Sequence, residues 1–136
     1  MTIEMVQEWL AAYAKAWQEC DPDQVAALFA PESVYRSSPF RAPHRGRDGV
    51  RAYWKGATRD QRDLDLRFGE PILQGLRVAV EWWAIVRNAG ETGVWEAGTL
   101  PGCLYLIFDD DGRCIELREY WHWQEGVMSA YDGWGA

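Results

Sequence analysis

The sequence predicts a single α+β domain, with helices in roughly the first 60 residues and strands after them. Three observations carry this. Before residue 60, apolar residues recur at spacings of three and four. After it they alternate with polar ones, the period of a half-buried strand. The chain has 136 residues, 48% of them hydrophobic, enough for one full core and too few for two. Helices followed by a run of strands is the α+β pattern.

The first helix is expected from Ile3 to Glu19, with Ile3, Val6, Leu10, Tyr13 and Trp17 on one stripe. Asp21-Pro22 restarts the chain. Asp is a good N-cap, Pro suits the first helical position, and Gln24 completes a capping box. That short second helix should bury Val25, Leu28 and Phe29 and stop at Pro31, before a brief strand from Ser33 to Ser37. A loop with Pro39, Pro43 and Gly46 leads to a third helix, Arg47 to Asp60, carrying Val50, Trp54 and Ala57, with Tyr53 beside Trp54.

Strands are expected at Leu64 to Phe68, Leu76 to Arg87, Thr92 to Phe108 and Arg113 to Gln124. In the second, Leu76, Val78, Val80, Trp82, Ala84 and Val86 form a purely apolar row that should face inward. Pro101-Gly102 should interrupt the third with a bulge or an edge. Asp110-Asp111-Gly112 is a tight turn. The last twelve residues read as a tail that packs through Tyr131 or Trp134.

The last strand nominates a site. Its odd positions, Ile115, Leu117, Glu119, Trp121 and Trp123, form the inward row by polarity. Glu119 is the lone exception in it. A carboxylate in an apolar row costs free energy unless paired or protonated, and burial raises its pKa toward general acid/base range. Glu119 therefore either pairs with a buried tyrosine, tryptophan or arginine to hold the fold, or faces a ligand. Tyr13 could aim a hydroxyl into the same space or could be core. Nine tryptophans exceed what packing a domain of this size needs, and point to a pocket, an interface or both. Arg118, Tyr120, His122 and Trp83 make an aromatic and basic strip on the outer face, where a homodimer is the simplest inference.

Other classes are disfavoured. A net charge of −7 argues against a phosphate-backbone binder. Two histidines without an acidic cluster argue against a metal site. No glycine loop or dinucleotide fingerprint calls for a cofactor. No apolar run is long enough for a membrane span, and Met1 to Glu4 do not begin a signal peptide, so a cytoplasmic location is expected. Cys20, Cys103 and Cys114 are expected as free thiols, although Cys103 and Cys114 could face each other on adjacent strands.

Several segments resemble the NTF2-like superfamily, in particular its SnoaL-like proteins. They are Ala16-Trp17 before Asp21-Pro22-Asp23, Ala27 to Tyr35, Pro39-Phe40, Gly46-Arg47 through Tyr53-Trp54, and Phe108 to Arg113 running into Arg118-Glu119-Tyr120-Trp121. The resemblance implies a cone: a curved mixed or antiparallel sheet, a cystatin-like roll, packed on N-terminal helices. Its mouth would admit a small apolar molecule. Tyr13 falls near the oxyanion-hole tyrosine of ketosteroid isomerases, but their two aspartates fall at Ser38 and Leu104. Glu119 falls where epoxide hydrolases and SnoaL-type cyclases place an aspartate. The epoxide hydrolases' arginine and second aspartate fall near Trp82 and Ala84. The site expected is thus Glu119 with Tyr13, walled by Trp17, Tyr35, Phe40, Tyr53, Trp54, Trp82, Leu104, Trp121 and Trp123. It would perform general acid/base chemistry such as cyclisation, isomerisation or dehydration, or else bind without catalysis. An aromatic cage with one carboxylate could also hold a cation.

Overall fold

A computed structural model describes residues 1–89 and 95–136, and of Trp95 the backbone only. The elements run α1 (Ile3–Gln18), α2 (Pro22–Ala27), β1 (Phe29–Arg36), β2 (His44–Arg45), α3 (Gly46–Ala57), β3 (Gln61–Phe68), β4 (Ile72–Gln74), β5 (Arg77–Ala89), β6 (Trp95–Phe108), β7 (Cys114–Trp121) and β8 (Gln124–Glu125). Among the described residues the strands form one sheet in the order β2-β1-β7-β6-β5-β3, with β4 on β5 and β8 on β6. β1 and β7 are parallel and the other pairs antiparallel, so the curved sheet is mixed.

The helices cover one face of the sheet. α1 starts at Thr2, whose hydroxyl accepts the Met5 N–H, and buries Val6, Trp9, Leu10, Tyr13, Ala16 and Trp17. α2 starts at Asp21, whose carboxylate accepts the N–H groups of Asp23 and Gln24. Against them lie Val78, Val80, Trp82, Ala84 and Val86 of β5, Leu104, Leu106 and Phe108 of β6, and Leu117 of β7. Aromatic rings fill the centre, with Trp9 stacked on Tyr13 at 5.2 Å and Trp17 edge-on to Trp54 at 5.4 Å.

The structure departs from the sequence-based expectation in several places. The second helix ends at Ala27, and Phe29 and Pro31 already belong to β1. Pairing with β7 slips between Phe29 and Val34, so Pro31 falls where no ladder donor is needed. Pro101 does not interrupt β6, which pairs with β5 without a break from Trp95 to Ile107. Its carbonyl accepts the His122 N–H at the end of β7. Nitrogen and carbonyl of a strand residue point to the same side, so the missing N–H falls there too and β5 loses nothing. In β7 the expected alternation fails before residue 116. A bulge pairs Phe108 with Cys114 and Ile107 with Glu116, which turns Cys114 inward and leaves Ile115 exposed. The short β4 was not expected; Gly75, with φ of 62°, turns it into β5. The expected start of the third strand, Thr92 to Val94, lies outside the described residues. Cys103 pairs with Tyr120, so Cys103 and Cys114 do not meet, and all three cysteines are free.

Candidate active site

The site lies where α1, β1, α3 and β7 converge. Glu119 stands on the inward row of β7, opposite Leu104 of β6, and is only 8% exposed. Leu117 below it is fully buried, and Trp121 above it is about half exposed. Glu119 is thus the last residue of the core before the mouth.

Both carboxyl oxygens are held. Tyr35 of β1 donates its hydroxyl to Oε2 at 2.9 Å, and Tyr53 of α3 donates to Oε1 at 3.1 Å. Tyr13 of α1 stands behind, its hydroxyl 3.3 Å from that of Tyr35. Burial pushes the Glu119 carboxyl up to about 7, against the pull of hydrogen bonds from Tyr35, Tyr53 and the Trp121 side chain. Burial and the nearby Glu119 likewise hold the hydroxyls of Tyr13, Tyr35 and Tyr53 well above the usual tyrosine range. All three tyrosines therefore stay protonated donors.

A cavity of about 460 Å³ opens beside the carboxyl, lined by Trp17, Tyr53, Trp54, Ala57, Gln61, Trp82, Val86, Asn88, Leu100, Glu119, Trp121 and Trp123. Trp17 donates its indole N–H to Gln61 Oε1 at 2.7 Å. Two glycines on the inward row of β6 make the aromatic wall possible. Gly102 lies between Trp82 on β5 and Trp121 on β7, and a Cβ there would meet the Trp82 ring and come 2.7 Å from the Tyr120 carbonyl oxygen. A Cβ on Gly98 would collide with the Trp123 ring.

The nominated residues therefore divide. Glu119, Trp17, Tyr53, Trp54, Trp82, Trp121 and Trp123 line one cavity. Tyr13, Tyr35 and Leu104 are buried and do not line it: Tyr13 reaches Glu119 only through Tyr35, and Leu104 is core beneath the carboxyl. Phe40 does not line this cavity: it is 94% exposed in the loop after β1. It rims a second, outer cleft of about 820 Å³, with Trp83, Tyr120, Tyr131 and Trp134, and that cleft shares Glu119 and Trp121 with the cavity. Sequence reasoning passed over Gln61, Asn88 and the glycine pair. Gly98 and Gly102, four apart on one strand face, were the signal available for the last.

Residues 10–117 match the SnoaL-like domain family, and the chain belongs to it. Among curated proteins no sequence match was found. A structure from Shewanella denitrificans OS-217, provisionally described as a SnoaL-like polyketide cyclase, is 20% identical with a TM-score of 0.73, over 85% of this chain and 89% of that one. The epoxide hydrolase/cyclase-like enzyme SalBIII, of pyran ring formation in the polyether salinomycin, is 18% identical with a TM-score of 0.72, over the same shares. RV0760c from Mycobacterium tuberculosis is 16% identical with a TM-score of 0.75, over 93% and 99%. The fold is NTF2-like.

Proposed function

We propose that this protein is a general acid/base enzyme acting on a small apolar molecule, with Glu119 as the group that moves the proton. The observation behind it is a single buried carboxyl on an aromatic cavity wall, poised near neutrality and held by two tyrosines. Both the Shewanella protein provisionally described as a polyketide cyclase and SalBIII share the fold, which is consistent with cyclisation.

The chemistry follows from the two oxygens. Oε2 is tied to Tyr35, deep in the core, while Oε1 shares its hydrogen bond with Tyr53 at the cavity wall. Ionised Glu119 would take a proton from a carbon next to a substrate carbonyl. The electron pair moves onto the carbonyl oxygen, where the Tyr53 hydroxyl, committed to Glu119 in the resting site and released as that carboxylate takes the proton, supplies a hydrogen bond. Returning the proton from Glu119 to a different carbon of a conjugated substrate is isomerisation, handing it to a departing β-hydroxyl that leaves as water is dehydration, and handing it to the oxygen of a second carbonyl attacked by the α-carbon is aldol cyclisation. Tyr13 acts as a positioning residue, orienting the Tyr35 hydroxyl.

Hydrogen–deuterium exchange at the α-carbons of a panel of cyclic ketones, followed by NMR, tests this. Exchange is expected to rise with pH through a midpoint near 7 and to fall about a hundredfold or more in Glu119→Gln. Exchange that is unchanged in the variant removes Glu119 from the reaction. Ketones that bind without exchanging favour the second reading, a non-catalytic binding protein. That reading draws on the family resemblance, which puts Ser38 and Leu104 at about the positions where ketosteroid isomerases carry their acids. We also propose a homodimer through the outer cleft, because Phe40, Tyr120, Trp121 and Tyr131 rim it in exposed positions.

A further inference from the structure

We infer that the cavity beside Glu119 selects a cationic ligand: an apolar skeleton carrying a protonated or quaternary nitrogen. This rests on the reading of that cavity as the substrate site and names the substrate class.

Aromatic rings and one carboxyl make up seven of the twelve lining residues, and the rest are the aliphatic Ala57, Val86 and Leu100 and the neutral amides Gln61 and Asn88. Five indoles and one phenol line the cavity. The Trp17 N–H is taken by Gln61, and the indole nitrogens of Trp54 and Trp82 are sealed from solvent with no partner. These three rings therefore offer the cavity carbon and π surface, not a donor. The Tyr53 hydroxyl is committed to Glu119. Among the lining residues there is no lysine, arginine or histidine, and the one ionisable acid is Glu119. Arg41 acts on Tyr53 from a distance but is not part of the lining.

Such a lining suits one kind of charge. Aromatic faces carry the negative side of their quadrupole and attract ammonium groups, most strongly where water is excluded. A carboxylate in the same wall adds direct attraction. An anionic ligand would meet repulsion from both, and a neutral one would gain from burial alone. The net charge of −7 favours approach of cations over anions as well. The other groups facing Glu119 from α1, β1 and α3 are tyrosine hydroxyls, held protonated by burial, and burial lowers the pKa of His44, 4.5 Å from the Tyr53 ring. Above pH 8 Glu119 is then the charge that changes the balance.

The test is a matched pair of probes at pH 8.5, phenyltrimethylammonium and its neutral carbon isostere tert-butylbenzene, titrated against tryptophan fluorescence in the same low cosolvent. Phenyltrimethylammonium is expected to bind about tenfold or more tightly than the isostere. The preference should shrink several-fold in Glu119→Gln and in Trp82→Leu, each checked for folding by circular dichroism. Equal or tighter binding of tert-butylbenzene overturns the cation inference while leaving the cavity as an apolar substrate site. Binding of neither probe overturns both.

Discussion

At the scale of single residues, Glu119 is destabilising by design of its surroundings. In the unfolded chain it loses its proton near the ordinary value of 4.5, whereas the folded carboxyl keeps it to about 7. The folded state therefore binds more protons across that window, and stability falls as pH rises through it, by about 3 kcal/mol at most. Glu119→Gln removes the titration. Its unfolding free energy relative to the native chain should rise between pH 4.5 and 7 and level off above, as read by urea melts at a series of pH values. A difference independent of pH would mean the carboxyl is not buried as described. Tyr35→Phe removes a hydrogen bond that holds the carboxyl down, so the midpoint of exchange activity should move upward in pH. Tyr13→Phe, which keeps the ring packing and removes only the hydroxyl that meets Tyr35, should cost about 1 kcal/mol of stability and move that midpoint little. Polarity alone singled out Glu119, because a carboxylate between Leu117 and Trp121 breaks a two-residue rhythm. Its partners could not be read this way. Tyr35 and Tyr53 look like any half-buried tyrosines until β1 and α3 are set beside β7.

At the scale of elements, β6 is the strand that shapes the cavity. Gly98 and Gly102 leave its inward face flat enough for indoles to lie on it. The two positions differ in what would have to move. A methyl group at Gly102 meets a buried ring and a backbone oxygen, so Gly102→Ala should cost about 1–3 kcal/mol in thermal or urea unfolding. The atoms nearest a methyl group at Gly98 belong to the half-exposed Trp123 ring, whose far edge can swing outward. Gly98→Ala should then leave stability within about 0.5 kcal/mol but weaken ligand binding. Equal stability losses in the two variants would contradict these seats. The helices were legible because caps and stripes are local signals. The strands were legible in position but not in their irregularities. The bulge at Ile115 depends on how β6 fits β7, and the tolerance of Pro101 depends on where β7 ends, neither of which is encoded within one strand.

At the scale of the whole molecule, the tail beyond β8 closes part of the outer face. Trp83 donates its indole N–H to the Met128 carbonyl at 3.1 Å, Trp134 packs edge-on to Trp83, and the Arg67 guanidinium lies over Trp134. Part of the strip expected from sequence to form an interface is thus occupied by the chain itself, while Tyr120 stays exposed. Tyr120→Glu should convert a dimer into a monomer in sedimentation equilibrium, with cavity binding retained. A native chain that sediments as a monomer removes the dimer proposal. No helix among the described residues is long and apolar enough to cross a membrane.

The strand order also has a consequence for how the chain reaches this state. β7 is inserted between β1 and β6, and Tyr35 and Glu119 are 84 residues apart in the chain. The site is assembled by some of the longest-range contacts in the molecule, and such loops close late. A nascent chain has no site until β7 has left the ribosome, and until then β1 and β6 each present an open edge. Pulse-labelled amide exchange during refolding should show the β5–β6 pairing protected first and the β1–β7 pairing last, so that binding competence arrives only with the final strand.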